Sequence, residues 1–160
     1  MTLESIISFG IPQVIIDETE RSLVQAGDDG YEQFVLWTGT PCGDTFRVEH
    51  IYVPEQTSFR LDDGLCVRVD DVALDRLNRW LYEKHQVLGV QVHTHSGDAY
   101  HSRTDDTYPI VTLLGGLSIV AAQFCRQGLV SEGTAVYRLD RHRWVLQDRQ
   151  QVAALLRVNP

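Results

Sequence analysis

Apolar positions along the chain change their spacing several times, and each change marks the edge of an element. Residues 11–26 carry helical spacing, with Val14, Ile15 and Leu23 apolar, Pro12 at the first turn and Gly27 as a stop. Residues 33–39 (QFVLWTG) form a strand pattern. Residues 45–53 alternate, with Phe46, Val48, His50 and Tyr52 on one face, and predict the second arm of a hairpin. A polar stretch, 54–64, predicts a loop, and 65–69 a short strand. Asp70 is a helix N-cap for a helix reaching about Lys84, with Ala73, Leu77, Trp80 and Leu81 on one face. Residues 88–94 (LGVQVHT) predict a central buried strand, 96–101 a loop, and Ser102 the cap of a short helix holding Asp105 and Asp106. The remainder predicts a buried strand at 117–124, a hairpin of 134–139 and 143–147 around Asp140-Arg141-His142, and a helix at 150–158. Strands and helices mix without strict alternation. The expected fold is therefore α+β, a mixed and mainly antiparallel sheet flanked by helices, in a single domain of residues 1–160.

Composition narrows the function. The chain has 160 residues, 22 acidic against 14 basic, and a formal net charge of −8. Binding to nucleic acid or an anionic membrane needs clustered Lys and Arg, so neither is expected. A (β/α)₈ barrel needs roughly 250 residues and is excluded by length. The longest apolar stretch, 113–122, is broken by Gly115, Gly116 and Ser118 and is too short for a bilayer span, which takes about 20 residues. Cys42, Cys66 and Cys125 show no C-x-x-C spacing, so three reduced thiols are expected and no disulfide framework. With no secretory pattern in residues 1–10, the expected location is cytoplasmic. Gly115-Gly116 lacks both GxGxxG spacing and the P-loop Lys, which argues against nucleotide binding. A nucleobase deaminase needs His-x-Glu and Pro-Cys-x-x-Cys, and neither occurs.

Chemistry concentrates in residues 91–107, QVHTHSGDAYHSRTDDT. His93 and His95 stand two apart at the end of an apolar strand, so their rings share a side. Two imidazoles can then meet one ion at about 2.0–2.1 Å. Asp105, on the next short helix, supplies a third ligand if the loop folds back. Two His and one carboxylate leave a coordination position open, the arrangement of catalytic zinc. The plain alternative is a pair of ordinary strand histidines beside a solvated acidic loop. Asp98 and His101 read as polar loop residues near the ion, with contact to its ligands as the alternative. His50, His85 and His142 have no partner pattern and read as structural or surface. Trp37, Trp80 and Trp144 read as core.

These residues resemble the JAMM (MPN+) zinc metalloprotease family. His93-Thr94-His95, six intervening residues and Ser102-Arg103-Thr104-Asp105 are similar to its His-Ser/Thr-His-Pro and Ser-x-x-Asp signature. Ala99-Tyr100-His101-Ser102 matches the small and aromatic residues that lead into it, and Glu32, ahead of Phe34 to Gly39, takes the place of the distal Glu. The resemblance covers roughly 11–139. Ser96 stands where the family has Pro, and the loop before Ser102 is one residue shorter than the common form. Keeping the common loop length would make Asp106 the ligand and replace the Ser by Arg103. The Ser-x-x-Asp spacing and Tyr100 favour Ser102 and Asp105.

The resemblance implies the MPN/JAB, cytidine-deaminase-like fold and one zinc ion held by His93, His95 and Asp105. It implies Glu32 as general base and Ser102 as oxyanion donor. The substrate implied is a ubiquitin-like protein or its conjugates, cut after the C-terminal tail, the tail lying as an added strand beside the metal. The chain looks like the stand-alone bacterial branch, whose members accompany ubiquitin-like conjugation systems with activating (E1-like) and conjugating (E2-like) enzymes, some in antiviral (antiphage) defence. Two alternatives stand beside this: trimming of a ubiquitin-fold sulfur-carrier protein, and a non-catalytic MPN-type scaffold.

Overall fold

Strands with unbroken apolar runs need cover on both faces, and the two longest runs lie side by side at the centre of the sheet. In the computed structural model, which describes residues 1–62, 64–141 and 143–160, these are β2 (Phe34–Cys42) and β6 (Val87–Thr94). The other elements are β1 (Ser8–Pro12), α1 (Gln13–Asp28), β3 (Thr45–Tyr52), β4 (Thr57–Leu61), β5 (Gly64–Arg68), α2 (Asp71–Lys84), α3 (Arg103–Thr107), β7 (Leu117–Ala121), β8 (Thr134–Leu139), β9 (Trp144–Leu146), α4 (Arg149–Leu155) and β10 (Leu156–Asn159). Eight strands form one sheet in the order β10-β1-β3-β2-β6-β7-β8-β9, while β4 and β5 form a separate ribbon. β1 pairs in parallel with both neighbours and β6 in parallel with β7; the other pairings are antiparallel. The sheet is mixed and mainly antiparallel, as the sequence predicts.

Alternation along β2 divides the core. Val35 and Trp37 join Ile15, Ile16 and Leu23 of α1 on one face, whereas Leu36 joins Leu77 of α2 on the other. Trp37 is fully buried, and its indole N–H donates to Thr19 Oγ1 at 2.9 Å. Asp70 caps α2 by accepting from the Ala73 N–H at 2.8 Å, as its position predicts.

Beside small shifts, such as β2 running on to Cys42 and α1 passing Gly27 to end at Asp28, four departures from the sequence reading stand out. The first helix begins at Gln13, because residues 8–12 are drawn into the sheet between β3 and β10. Residues 57–61 are a strand rather than loop; β4 is mostly exposed and pairs with β5 outside the main sheet, so no apolar alternation marks it. The strand expected at 117–124 stops at Ala121. The last helix ends at Leu155, and Leu156–Asn159 becomes the edge strand beside β1. His142 lies outside the described residues.

Candidate metal centre

β6 ends in the middle of the sheet's edge-to-edge run, and its last residues project from a rigid base. His93 is in register with Phe34 on β2 and Val120 on β7. His95 extends the ladder, its N–H donating to the Ala121 carbonyl at 2.9 Å. The chain after β7 makes a left-handed turn, with φ of 51°, 55° and 65° at Gln123, Phe124 and Cys125. Its amides fix the loop beyond the ladder: Phe124 N–H donates to His95 O and Gln123 N–H to Gly97 O, both at 2.9 Å. L-residues in this conformation carry strain, so surrounding structure must hold them there. α1 supplies that support at Gly27, where a Cβ would lie 2.3 Å from Phe124 Cβ.

Asp105 comes from α3, which presents no buried residue of its own. Ser102 accepts from the Asp105 N–H at 3.1 Å, and the Ser102 N–H donates to Asp105 Oδ2 at 2.7 Å, a reciprocal cap. This aims the carboxylate at the histidines, 3.3 Å from His93 Nε2 and 3.6 Å from His95 Nε2. One ligand atom from each residue lies within 4.8 Å of the other two.

The donor set fits a metal ion. His93 is 1% exposed, yet neither ring nitrogen makes a well-aligned hydrogen bond, Nε2 having only the Asp105 carboxylate at 3.3 Å. Burying an imidazole in that state is costly. An ion on Nε2 removes the cost and pairs the carboxylate at the same time. Two imidazoles and a carboxylate are the ligands of open, catalytic metal sites. The structure thus brings His93, His95 and Asp105 together and leaves Asp106 out. The Asp106 carboxylate is turned away, 2.8 Å from His101 Nδ1.

Glu32 stands across from the ligands, 8% exposed, with Oε1 accepting from the Ser96 N–H at 3.1 Å. Side chains strap its segment down. Ser58 Oγ donates to Glu32 O, and Gln33 N–H donates to Thr94 Oγ1, each at 3.2 Å. Gln56 takes the place of a missing strand beside Phe34, accepting from its N–H at 2.6 Å and donating to its carbonyl at 3.0 Å. Neither Gln56 nor Ser58 carries a signal in the sequence beyond a polar loop.

Burial raises the Glu32 carboxyl above its ordinary range, against the opposing pull of His95. Burial also disfavours the Asp105 carboxylate, but contacts with His93 and His95 outweigh it and hold the group well below the usual carboxylate range. For His95, burial lowers the pKa, while Asp105 and Glu32 more than reverse this and raise it. A groove of about 290 Å³ opens over these groups, walled by Glu32, Leu65, Val67, His95, Tyr100 and Asp105. Ser102 and Asp98 also line it.

His50 Nδ1 lies 3.1 Å from Gln86 Oε1 and its ring meets Trp80 edge-on. His85 is the left-handed C-cap of α2. His101 is more than a loop residue: its side chain is 4% exposed and both ring nitrogens are engaged. Burial lowers its pKa.

A curated relative decides the family: a Sinorhizobium fredii (strain NBRC 101917 / NGR234) protein named "Probable metalloprotease y4jG" is 37% identical over 138 residues, covering 86% of this chain and 85% of the relative. The chain belongs to this metalloprotease family. No protein-family model matches it. Among solved structures, the solution structure of protein DSY2949 from Desulfitobacterium hafniense superposes with a TM-score of 0.62, covering 94% of this chain and 92% of that one. At 14% identity this likeness concerns the fold alone. A metal-dependent peptidase with His93, His95 and Asp105 as the candidate metal group is the reading these findings support. Among the described residues, no helix is long and apolar enough to cross a membrane.

Proposed function

We propose that the protein is a zinc-dependent peptidase of the JAMM type, cutting an amide or isopeptide bond after the C-terminal tail of a ubiquitin-like protein. The observation that carries this is the convergence of His93, His95 and Asp105 on one point, opposite a buried Glu32. His93, His95 and Asp105 would hold the zinc ion, which would supply an acidified water and a polarised carbonyl. Glu32, its pKa raised by burial, takes a proton at its carboxylate and returns it to the leaving amine. The Ser102 hydroxyl accepts from Asp105 N–H through its oxygen, which leaves its own proton to donate to the oxyanion.

The groove suits an extended chain. Among the described residues, β4 and β5 pair with each other and not with the main sheet, and β5 runs along the groove wall, where an extended chain would lie beside it. Leu61, Leu65, Val67 and Tyr100 give that wall apolar side chains, with Leu61 and Tyr100 more than half exposed. Partners on this reading are the modifier, its conjugates, and cognate activating and conjugating enzymes.

The test begins with elemental analysis of purified protein and its His93→Ala/His95→Ala variant. One zinc ion per chain, lost in the variant, is expected. Fusions of ubiquitin-like proteins, sulfur carriers included, are then screened for chelator-sensitive cleavage. Glu32→Gln should abolish cleavage while zinc stays bound. Zinc-free wild-type protein that takes up none on reconstitution, or an active Glu32→Gln variant, overturns the proposal.

A further inference from the structure

We propose that His101 is a positioning residue for the metal centre. With the buried Gln91 and Ser118, and with Asp106 at the surface, it forms a clamp that fixes α3, and so Asp105, against β6, which carries His93 and leads into His95, and its neighbour β7. The inference deepens the metal-site reading and rests on it.

α3 needs such a device. It has five residues and buries none of them, and a helix this short has no stability of its own. Its cap joins Ser102 to Asp105 but ties neither to the sheet. Apart from the contacts of Asp105 with His93 and His95 themselves, the tie runs through Asp106. Asp106 Oδ1 lies 2.8 Å from His101 Nδ1, and His101 Nε2 lies 2.8 Å from Ser118 Oγ. A carboxylate only accepts, so in the neutral ring Nδ1 carries the hydrogen and Nε2 accepts from the Ser118 hydroxyl. Ser118 Oγ in turn accepts from Gln91 Nε2 at 3.1 Å. Gln91 Oε1 closes the chain by accepting from the Ile110 and Val111 amides at 3.0 and 2.9 Å.

Every link has one orientation, and the base of the chain is rigid. Gln91 and Ser118 are 1% and 0% exposed and face each other in register across β6 and β7. The His101 ring is packed by Tyr137 and Trp144, with centroids at 4.6 and 5.2 Å, and its backbone N–H donates to the Tyr137 hydroxyl at 3.2 Å. Successive helical residues point about 100° apart. Holding Asp106 against His101 therefore sets the azimuth at which Asp105 meets His93 and His95.

The experiment compares zinc affinity, by competition with a chromophoric chelator, in Asp106→Ala, Asp106→Asn, His101→Leu and wild type. Amide exchange across 103–107 is measured in the metal-free proteins. Asp106 is exposed, so its variants should fold even if His101→Leu does not. Asp106→Ala and His101→Leu should bind zinc about 10–100-fold more weakly. Their 103–107 amides should exchange faster than wild type. Asp106→Asn should stay near wild type, because its amide oxygen still accepts from Nδ1–H. Wild-type affinity and exchange in Asp106→Ala overturn the clamp, as does an Asp106→Asn variant as weak as Asp106→Ala. If wild type itself binds no zinc, the functional reading falls, and exchange alone decides the clamp.

Discussion

Ser102→Ala separates two roles that one hydroxyl fills. In the structure its oxygen accepts from the Asp105 N–H at 3.1 Å, while its proton has no such duty. Losing an N-cap costs about 1 kcal/mol. For a chain of this size that is a fall in Tm of roughly 2–4 °C. Were all of it felt at Asp105, zinc affinity would drop about fivefold. An oxyanion donor is worth far more, about 10²–10³ in kcat. Chelator-sensitive cleavage of a ubiquitin-like fusion, followed at saturating zinc, removes the affinity effect and leaves kcat. The expected result is a fall of about 10²–10³ in kcat with KM little changed. Ser102→Asp keeps the cap acceptor and has no proton to give, so it should keep Tm and lose kcat. Ser102→Thr keeps both. Zinc-loaded Ser102→Ala turning over at wild-type rate would refute the reasoning and reduce Ser102 to a cap.

Two further outcomes follow from burial. Because burial raises the Glu32 pKa, its stabilising contribution to the metal-free protein is present below its unfolded value of 4.5 and is lost as pH rises through the folded value. Metal-free Glu32→Gln should therefore gain Tm over wild type as pH rises from about 4.5 to 7, read by calorimetry in chelator; a difference that shrinks contradicts this. Gly27→Ala places a Cβ 2.3 Å from Phe124 Cβ, at a turn that cannot yield cheaply. Overpacking of this kind costs about 1–3 kcal/mol, a Tm loss of several degrees by calorimetry; an unchanged Tm contradicts the close approach.

The sequence carried the centre of the molecule and lost its margins. His93 and His95 were legible because strand spacing alone puts them on one side of an apolar run. Asp105 was legible because Ser102 is a recognisable cap three residues ahead. The Ser-x-x-Asp spacing favours Asp105 over Asp106, but it does not show where Asp106 turns, since the residue that holds it, His101, is itself held by Ser118 on the neighbouring strand β7. β1 and β10 were missed because their pairing is parallel and non-local, with Leu156 to Asn159 finding partners at residues 9–12. β4 was missed because its stability comes from β5 and not from apolar alternation.

The ribbon of β4 and β5 has a consequence for how such an enzyme can change. A two-stranded hairpin is marginal on its own. Here Gln56 and Ser58, at its near end, hook it to Phe34 and Glu32. At the far end, Leu61 and Gly64 to Val67 line the groove. On the proposed function, selectivity and chemistry would then occupy separable modules joined through Gln56 and Ser58. New substrate preferences can arise by rewriting the ribbon's tip while the hooks, and the reactive carboxylate they hold, stay as they are.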